Sequence, residues 1–76
     1  MFIPKLVEVV AKMEMRTGRR LTQQEIAEAT GISANTIGRW MRKEPMANIK
    51  PETVEPLLDF FGCTLSDLVE IRRVPG

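Results

Sequence analysis

Asn35, Arg39 and Arg42 recur at steps of four and three residues, so one helix would present all three on the same face. An Asn side chain can form two hydrogen bonds with adenine, and an Arg side chain two with guanine. Ala34 and Gly38 would share this face. Ala34 offers only a methyl contact to thymine, and Gly38 either lets DNA approach the backbone closely or is a tolerated helix glycine at an exposed site. The pattern predicts a helix whose exposed face contacts base edges.

A second set of polar residues flanks that helix and suits phosphate groups. Gln23 would begin the preceding helix, where free N–H groups and the positive end of the helix dipole favour an anion. After the helix that carries Asn35 and Arg39, the polar surface continues through Arg42, Lys43, Asn48 and Lys50. Taken singly, each of these five residues is also consistent with an ordinary solvated side chain.

Local signals define the two helices that would carry these residues. Thr22 and Glu25 form the capping-box pattern at the start of one helix, and Gly31 supplies the left-handed turn that ends it. Ser33 can cap the next helix, which Pro45 cannot continue. The inward face of that second helix would carry Ile37, Trp40 and Met41, with Trp40 interpreted as core and not as a stacking platform.

Apolar residues at helical spacing predict a helix before this pair, with Pro4 at its first position and Gly18 after its end. Two more helices are predicted after it. Pro56 would cost about 3 kcal/mol beyond the first turn, so the fourth helix should be regular only from about Thr53. Thr64 or Ser66 would cap a last short helix. The apolar residues of these three helices are Ile3, Leu6, Val9, Val10, Met13, Val54, Leu57, Leu58, Phe61, Leu65, Leu68 and Val69.

The expected fold is therefore all-α: a compact bundle of about five short helices in a single domain over residues 1–76, with loose termini at 1–3 and 74–76. No stretch alternates apolar and polar residues for long, so no strand is expected. A chain of 76 residues buries a thin core, which leaves little room for a deep catalytic cavity.

Composition excludes several classes of site. The chain has no His and a single Cys, Cys63, so it can form neither an intrachain disulfide nor a zinc finger nor a Cys-His pair. Its acids are spread over separate segments, which makes an enzyme the least favoured interpretation. No membrane span and no secretory signal are expected. Residues 1–50 hold nine Lys or Arg against five Glu, whereas residues 51–76 hold two Arg against five acids, so one end is basic and the other acidic.

The run LTQQEIAEATGISANTIGRW, from Leu21 to Trp40, resembles the helix-turn-helix of phage repressor and Cro proteins, the XRE-like transcriptional regulators. Small Ala27, the turn at Gly31 and apolar Ile32 stand where that motif needs them. The resemblance continues through the helix from Val54 and spans about residues 4–70.

This resemblance implies a lambda-repressor-like bundle with its helix-turn-helix at residues 22–42, and a transcriptional regulator that binds double-stranded DNA sequence-specifically. Helix 34–42 would lie in the major groove, with base contacts from Ala34, Asn35, Gly38 and Arg39. Gln23 takes the family's phosphate contact. The resemblance also implies a homodimer, at least when bound to DNA, paired between Leu65 and Val74, in the cytoplasm of a bacterium or phage host. It implies no cofactor and no small-molecule substrate.

The sequence departs from the family pattern at two places. The family often has an acidic residue and soon a Gly after Trp40, where this chain has Met41-Arg42-Lys43-Glu44-Pro45. A different loop shape is expected there. Ala34 replaces a residue that is often long and polar. With the modest net charge of +1, Ala34 favours a second interpretation, a protein-interaction module that keeps the fold without binding DNA.

Overall fold

Five helices and a two-stranded sheet make up the chain in this computed structural model, which describes residues 1–73. The predicted loose tail at 74–76 lies outside the described residues. None of the helices within residues 1–73 is long and apolar enough to cross a membrane. The elements follow in the order β1 (Phe2–Pro4), α1 (Leu6–Thr17), α2 (Gln23–Thr30), α3 (Ala34–Met41), α4 (Pro51–Phe61), α5 (Leu65–Leu68) and β2 (Val69–Ile71).

The helix ends around α2 and α3 form as predicted. The Thr22 hydroxyl accepts a hydrogen bond from the Glu25 N–H at 3.1 Å, and the Glu25 carboxylate accepts one from the Thr22 N–H. Gly31 ends α2 in the left-handed conformation at φ 75°. Ser33 Oγ accepts a hydrogen bond from the Thr36 N–H at 3.2 Å and caps α3. These local bonds set where both helices of the motif begin and end.

The expectation of a purely all-α fold with a loose start at residues 1–3 is wrong. β1 pairs antiparallel with β2, matching Phe2 with Ile71 and Pro4 with Val69. Pro4 therefore lies in a strand and not at the start of α1, which begins at Leu6 after the cap residue Lys5. The pairing joins the two ends of the described chain and ties down its first residues.

Two boundaries in the second half also differ from prediction. Val69 leaves α5 and enters β2, so the last helix has only four residues. α4 is helical from Pro51, with Pro56 inside it. Pro56 removes one hydrogen bond, to the carbonyl of Glu52. Glu52 is exposed in the first turn, where water can bind that carbonyl, so the helix tolerates the proline.

Side chains from all five helices and Val69 of β2 form the hydrophobic core. Trp40 is 3% exposed, which confirms that it is a core residue. Cys63 is half-buried against the same core, and burial raises the pKa of its thiol, with the charge of Asp67 adding to the effect. Within residues 1–73 the largest fully buried side chains are Pro4, Leu6, Ile26, Ile37, Leu57 and Leu68.

Candidate nucleic-acid interface

The helix pair α2 and α3 is held from its inner side. Ile26 of α2 and Ile37 of α3 are fully buried, and Trp40 anchors α3 one turn later. Ala27 and Ile32 are partly buried against the same cluster. This packing fixes the orientation of α3 and leaves its other face uncovered.

The outer face of α3 carries three of the four predicted base contacts. Ala34, Asn35 and Arg39 are all exposed, as the helical spacing predicted. Their side chains emerge from the amino-terminal turn and the middle of an eight-residue helix. Such a face can enter the major groove and offer amide and guanidinium donors to base edges.

Gly38, the fourth predicted base contact, does not lie on an open face. It is buried, and a Cβ atom built on it would be 3.3 Å from Gln23 Oε1 and 3.4 Å from Arg42 Nη1. The prediction that Gly38 is exposed is wrong because two long side chains cover it. The missing side chain makes room for the Gln23 and Arg42 side chains.

Gln23 lies at the amino end of α2, and its side chain lies over the middle of α3. It is exposed, and it is the first residue of α2. Among residues 1–73 the N–H groups of Gln23 and Gln24 have no backbone partner. The next two N–H groups are bonded: that of Glu25 donates to the Thr22 side chain and that of Ile26 donates to the Thr22 carbonyl. Free N–H groups at this helix end suit a phosphate oxygen.

Arg42 and Lys43, two predicted phosphate contacts, are held by carboxylates. Arg42 Nη2 lies 3.1 Å from Glu44 Oε2, and Lys43 Nζ lies 3.4 Å from Glu8 Oε1 on α1. All four side chains are about half exposed or more, so each pair is weak and screened by salt. A phosphate that approached these cations would compete with Glu44 and Glu8 for them.

The chain after α3 turns at Lys43 through a left-handed backbone conformation, φ 58°. Within residues 1–73, Lys43 is the single non-glycine residue with positive φ. A Cβ atom in that conformation crowds the following carbonyl oxygen and costs roughly 1 kcal/mol. The loop thus has the shape that a glycine would allow more readily, although a cation occupies the position.

A cleft of about 300 Å³ separates α3 from the following loop and the start of α4. It brings together Arg39, predicted to contact a base, and Asn48 and Lys50, predicted to contact phosphates. Thr36 and Thr53 also line it, and neither was predicted as a site residue. Thr36 stands three residues before Arg39 on the same helix, and that spacing was the available signal.

The chain matches the family model described as helix-turn-helix over residues 12–68. No curated protein and no solved structure matches the chain significantly. The matched segment runs from within α1 to the end of α5 and includes the capped helix pair and the exposed face of α3. The chain belongs to the XRE-like, Cro/repressor-type helix-turn-helix family, whose members are DNA-binding regulators and typically not enzymes.

Proposed function

We propose that this protein binds double-stranded DNA sequence-specifically and regulates transcription, with α3 in the major groove. The observation that carries the proposal is the division of α3 into a buried face, with Ile37 and Trp40, and an exposed face, with Asn35 and Arg39. Asn35 would pair with adenine and Arg39 with guanine, while Ala34 packs against a thymine methyl group. Gly38 is not among these contacts.

Phosphate contacts flank this helix in the same proposal. Gln23 and the free N–H groups of α2 bind one phosphate, and Arg42 with Lys43 binds the backbone at the other end of α3. Asn48 and Lys50 follow across the cleft. Three charged contacts give a slope of about −3 for log affinity against log salt concentration.

The regulator acts as a homodimer on DNA, at least when bound, in the cytoplasm of a bacterium or phage host. One domain reads only a few base pairs, which is too little for selection within a genome. Two copies related by a two-fold axis would read half-sites about one helical turn apart. The surface proposed for pairing is the part from Leu65 onward, because it leaves α3 free for DNA; Val74, also assigned to it, lies outside the described residues.

A second candidate function is a protein-interaction module without DNA binding. The observation that favours it is the pairing of Arg42 with Glu44 and of Lys43 with Glu8, which neutralises two of the three cations proposed to contact phosphates. The two candidate functions differ in whether Arg42 and Lys43 bind the phosphates of DNA.

Selection from a random pool of double-stranded DNA, followed by sequencing of the bound fraction, tests the function. We expect one enriched motif, bound with the salt slope given above. Asn35→Ala and Arg39→Ala should each reduce discrimination at one base pair by about 1–3 kcal/mol. Arg16→Ala, in the exposed last turn of α1, is the matched control and should leave the motif unchanged. A slope near zero with no enriched motif would favour the interaction module.

A further inference from the structure

The charged side chains that line the cleft between α3 and the start of α4 are all positive. They are Arg39 and Lys50, and among residues 1–73 no Asp or Glu lines the cleft. Neither cation has an ion-pair partner in the part of the chain that the structure describes. A cleft lined by charge of one sign concentrates ions of the opposite sign, so this one favours an anionic ligand.

Neutral side chains add hydrogen-bond donors to the same cleft. Asn48 can donate through its amide, and Thr36 and Thr53 can donate through their hydroxyls. Ser33 Oγ donates to Thr36 Oγ1 at 2.9 Å, which leaves the Thr36 proton for another acceptor. Together with the guanidinium and the ammonium, these groups can surround an anion that has several acceptor oxygens.

The deeper part of the cleft is apolar. Its lining residues Met46 and Ile49 are half-buried, whereas Arg39 and Lys50 are exposed. Trp40, which is 3% exposed, also lines it. The cleft therefore combines an apolar floor with a cationic rim. An organic anion can use both parts, because its charged group meets the rim and its apolar group is buried on the floor.

The size of the cleft selects a small ligand. Its volume of about 300 Å³ is at the lower end of the range for ligand pockets. At neutral pH a phosphate monoester carries a charge of about −2 and three acceptor oxygens. That group matches two cations with neutral donors between them, and a ring or short chain as the ester group would fill the floor.

We propose that this cleft binds a small phosphate monoester with a compact apolar ester group, and that the bound ligand excludes DNA. No bond of the ligand changes, so the ligand is an effector and not a substrate. Binding of the ligand does not require DNA. Its effect on DNA rests on the proposed function, in which Arg39 contacts a base and Lys50 a phosphate.

Phenyl phosphate is the probe, and Trp40 reports its binding. Trp40 lines the cleft and is the only Trp of a chain that has no Tyr. Titration at constant ionic strength, without DNA, should change the Trp40 fluorescence with a dissociation constant of about 1 mM or lower. Inorganic phosphate lacks the ring and phenol lacks the anion, so each should bind at least about fivefold more weakly.

Substitutions in the cleft test which groups hold the phosphate. Lys50→Ala should raise the dissociation constant of phenyl phosphate about tenfold, and Thr53→Val about threefold, because a charged and a neutral hydrogen bond are lost. Lys12→Ala, which removes the same charge from exposed α1, is the control and should leave this constant unchanged. Circular dichroism checks that each variant keeps its helices.

A competition experiment tests the effect on DNA. Phenyl phosphate at roughly ten times its dissociation constant should weaken the affinity for a selected DNA site about tenfold, relative to sodium chloride of the same ionic strength. In Thr53→Val the same concentration should weaken the affinity less. An affinity that changes no more than in the sodium chloride control would overturn the exclusion of DNA.

Equal binding of phenyl phosphate and inorganic phosphate would overturn the proposal, because the cleft would then recognise a phosphate group alone, as a contact to the DNA backbone does. Equal weakening by Lys12→Ala and Lys50→Ala would also overturn it, since only net charge would matter. The first titrations contain no DNA. A chain that binds phenyl phosphate but no DNA therefore refutes the proposed function alone, and one that binds DNA but no phenyl phosphate refutes this inference alone.

Discussion

The side chain of Gln23 lies over Gly38, so that the first residue of α2 covers the middle of α3. A Cβ atom at Gly38 would be 3.3 Å from Gln23 Oε1, closer than ordinary van der Waals contact. Gly38 is thus the position where Gln23, the proposed phosphate contact, lies against α3, the helix proposed to contact bases. The absence of a side chain at Gly38 lets the Gln23 and Arg42 side chains lie close to α3.

Gly38→Ala should raise the stability of the fold and weaken DNA binding. Alanine gains about 1 kcal/mol of helix propensity, and the atoms it meets are the ends of flexible side chains that can move by a few tenths of an ångström. We expect a higher free energy of unfolding in urea. Displacement of Gln23 should weaken DNA affinity about threefold to tenfold, as for one lost hydrogen bond.

A double-mutant cycle with Gln23→Ala checks the cause. If Gly38→Ala acts by moving Gln23, then it should weaken DNA binding far less when Gln23 is already absent. Additive losses would mean that Gly38 serves DNA binding by some other route, such as direct approach of the backbone.

Glu44→Gln should strengthen DNA binding. Glu44 Oε2 lies 3.1 Å from Arg42 Nη2 and 3.2 Å from Arg42 Nε, so the carboxylate competes with a phosphate for Arg42. Loss of an exposed ion pair is worth up to about 1 kcal/mol, so affinity should rise up to about fivefold with little change in stability. Glu55→Gln, which removes the same charge from exposed α4, is the control. An equal rise in both variants would show only a long-range effect of net charge.

The helix pair could be predicted from sequence because its determinants are local. Thr22, Gly31 and Ser33 each act within three or four residues of their partners. The exposed positions of Asn35 and Arg39 followed from the helical period alone.

The sheet could not be predicted in this way. Ile3 fits the apolar stripe of α1, and Pro4 fits the first position of a helix, as well as they fit a strand. Only pairing with Glu70 and Val69 at the far end of the chain decides between the two. The covering of Gly38 has the same origin, because it depends on a side chain from another helix. Contacts between distant residues therefore account for both errors.

Acid should weaken the fold through Asp67. Its Oδ2 accepts hydrogen bonds from the N–H of Thr64 at 3.2 Å and from the Thr64 hydroxyl at 2.9 Å. Both hydrogen bonds lower the pKa of Asp67 from its ordinary value, and the bond from the backbone N–H has the larger effect. A lowered pKa stabilises the fold above the unfolded pKa, and this contribution is lost as pH falls through the folded value, below about pH 4.

Urea unfolding at neutral pH and in acid measures this effect. Asp67→Asn should lower stability at neutral pH and lose less of it on acidification than the wild type does. Asp59→Asn, which removes an exposed carboxylate on α4, is the control and should lose as much stability in acid as the wild type does. Equal acid sensitivity in wild type and Asp67→Asn would contradict the role of this cap.

Lys43→Gly and Lys43→Ala should share one effect and differ in another. Both remove a cation proposed to contact phosphate, so both should weaken binding to all DNA sequences alike and reduce the salt slope by about 1. Only glycine relieves the left-handed backbone at φ 58°, so Lys43→Gly should raise the free energy of unfolding by about 1 kcal/mol. Lys43→Ala keeps a Cβ atom in that conformation and should stay near the wild-type value.

The comparison isolates charge from loop shape, because the exposed bond from Lys43 to Glu8 is lost in both variants and contributes little in either. DNA titrations across a salt series and urea unfolding of the two variants supply the measurements. If Lys43→Ala bound DNA as the wild type does while Lys43→Gly did not, the position would act through the shape of the loop, and its assignment as a phosphate contact would be wrong. If both variants bound DNA equally weakly but Lys43→Gly were the more stable, then the positive charge of Lys43 would contribute to DNA binding while its backbone conformation lowers stability.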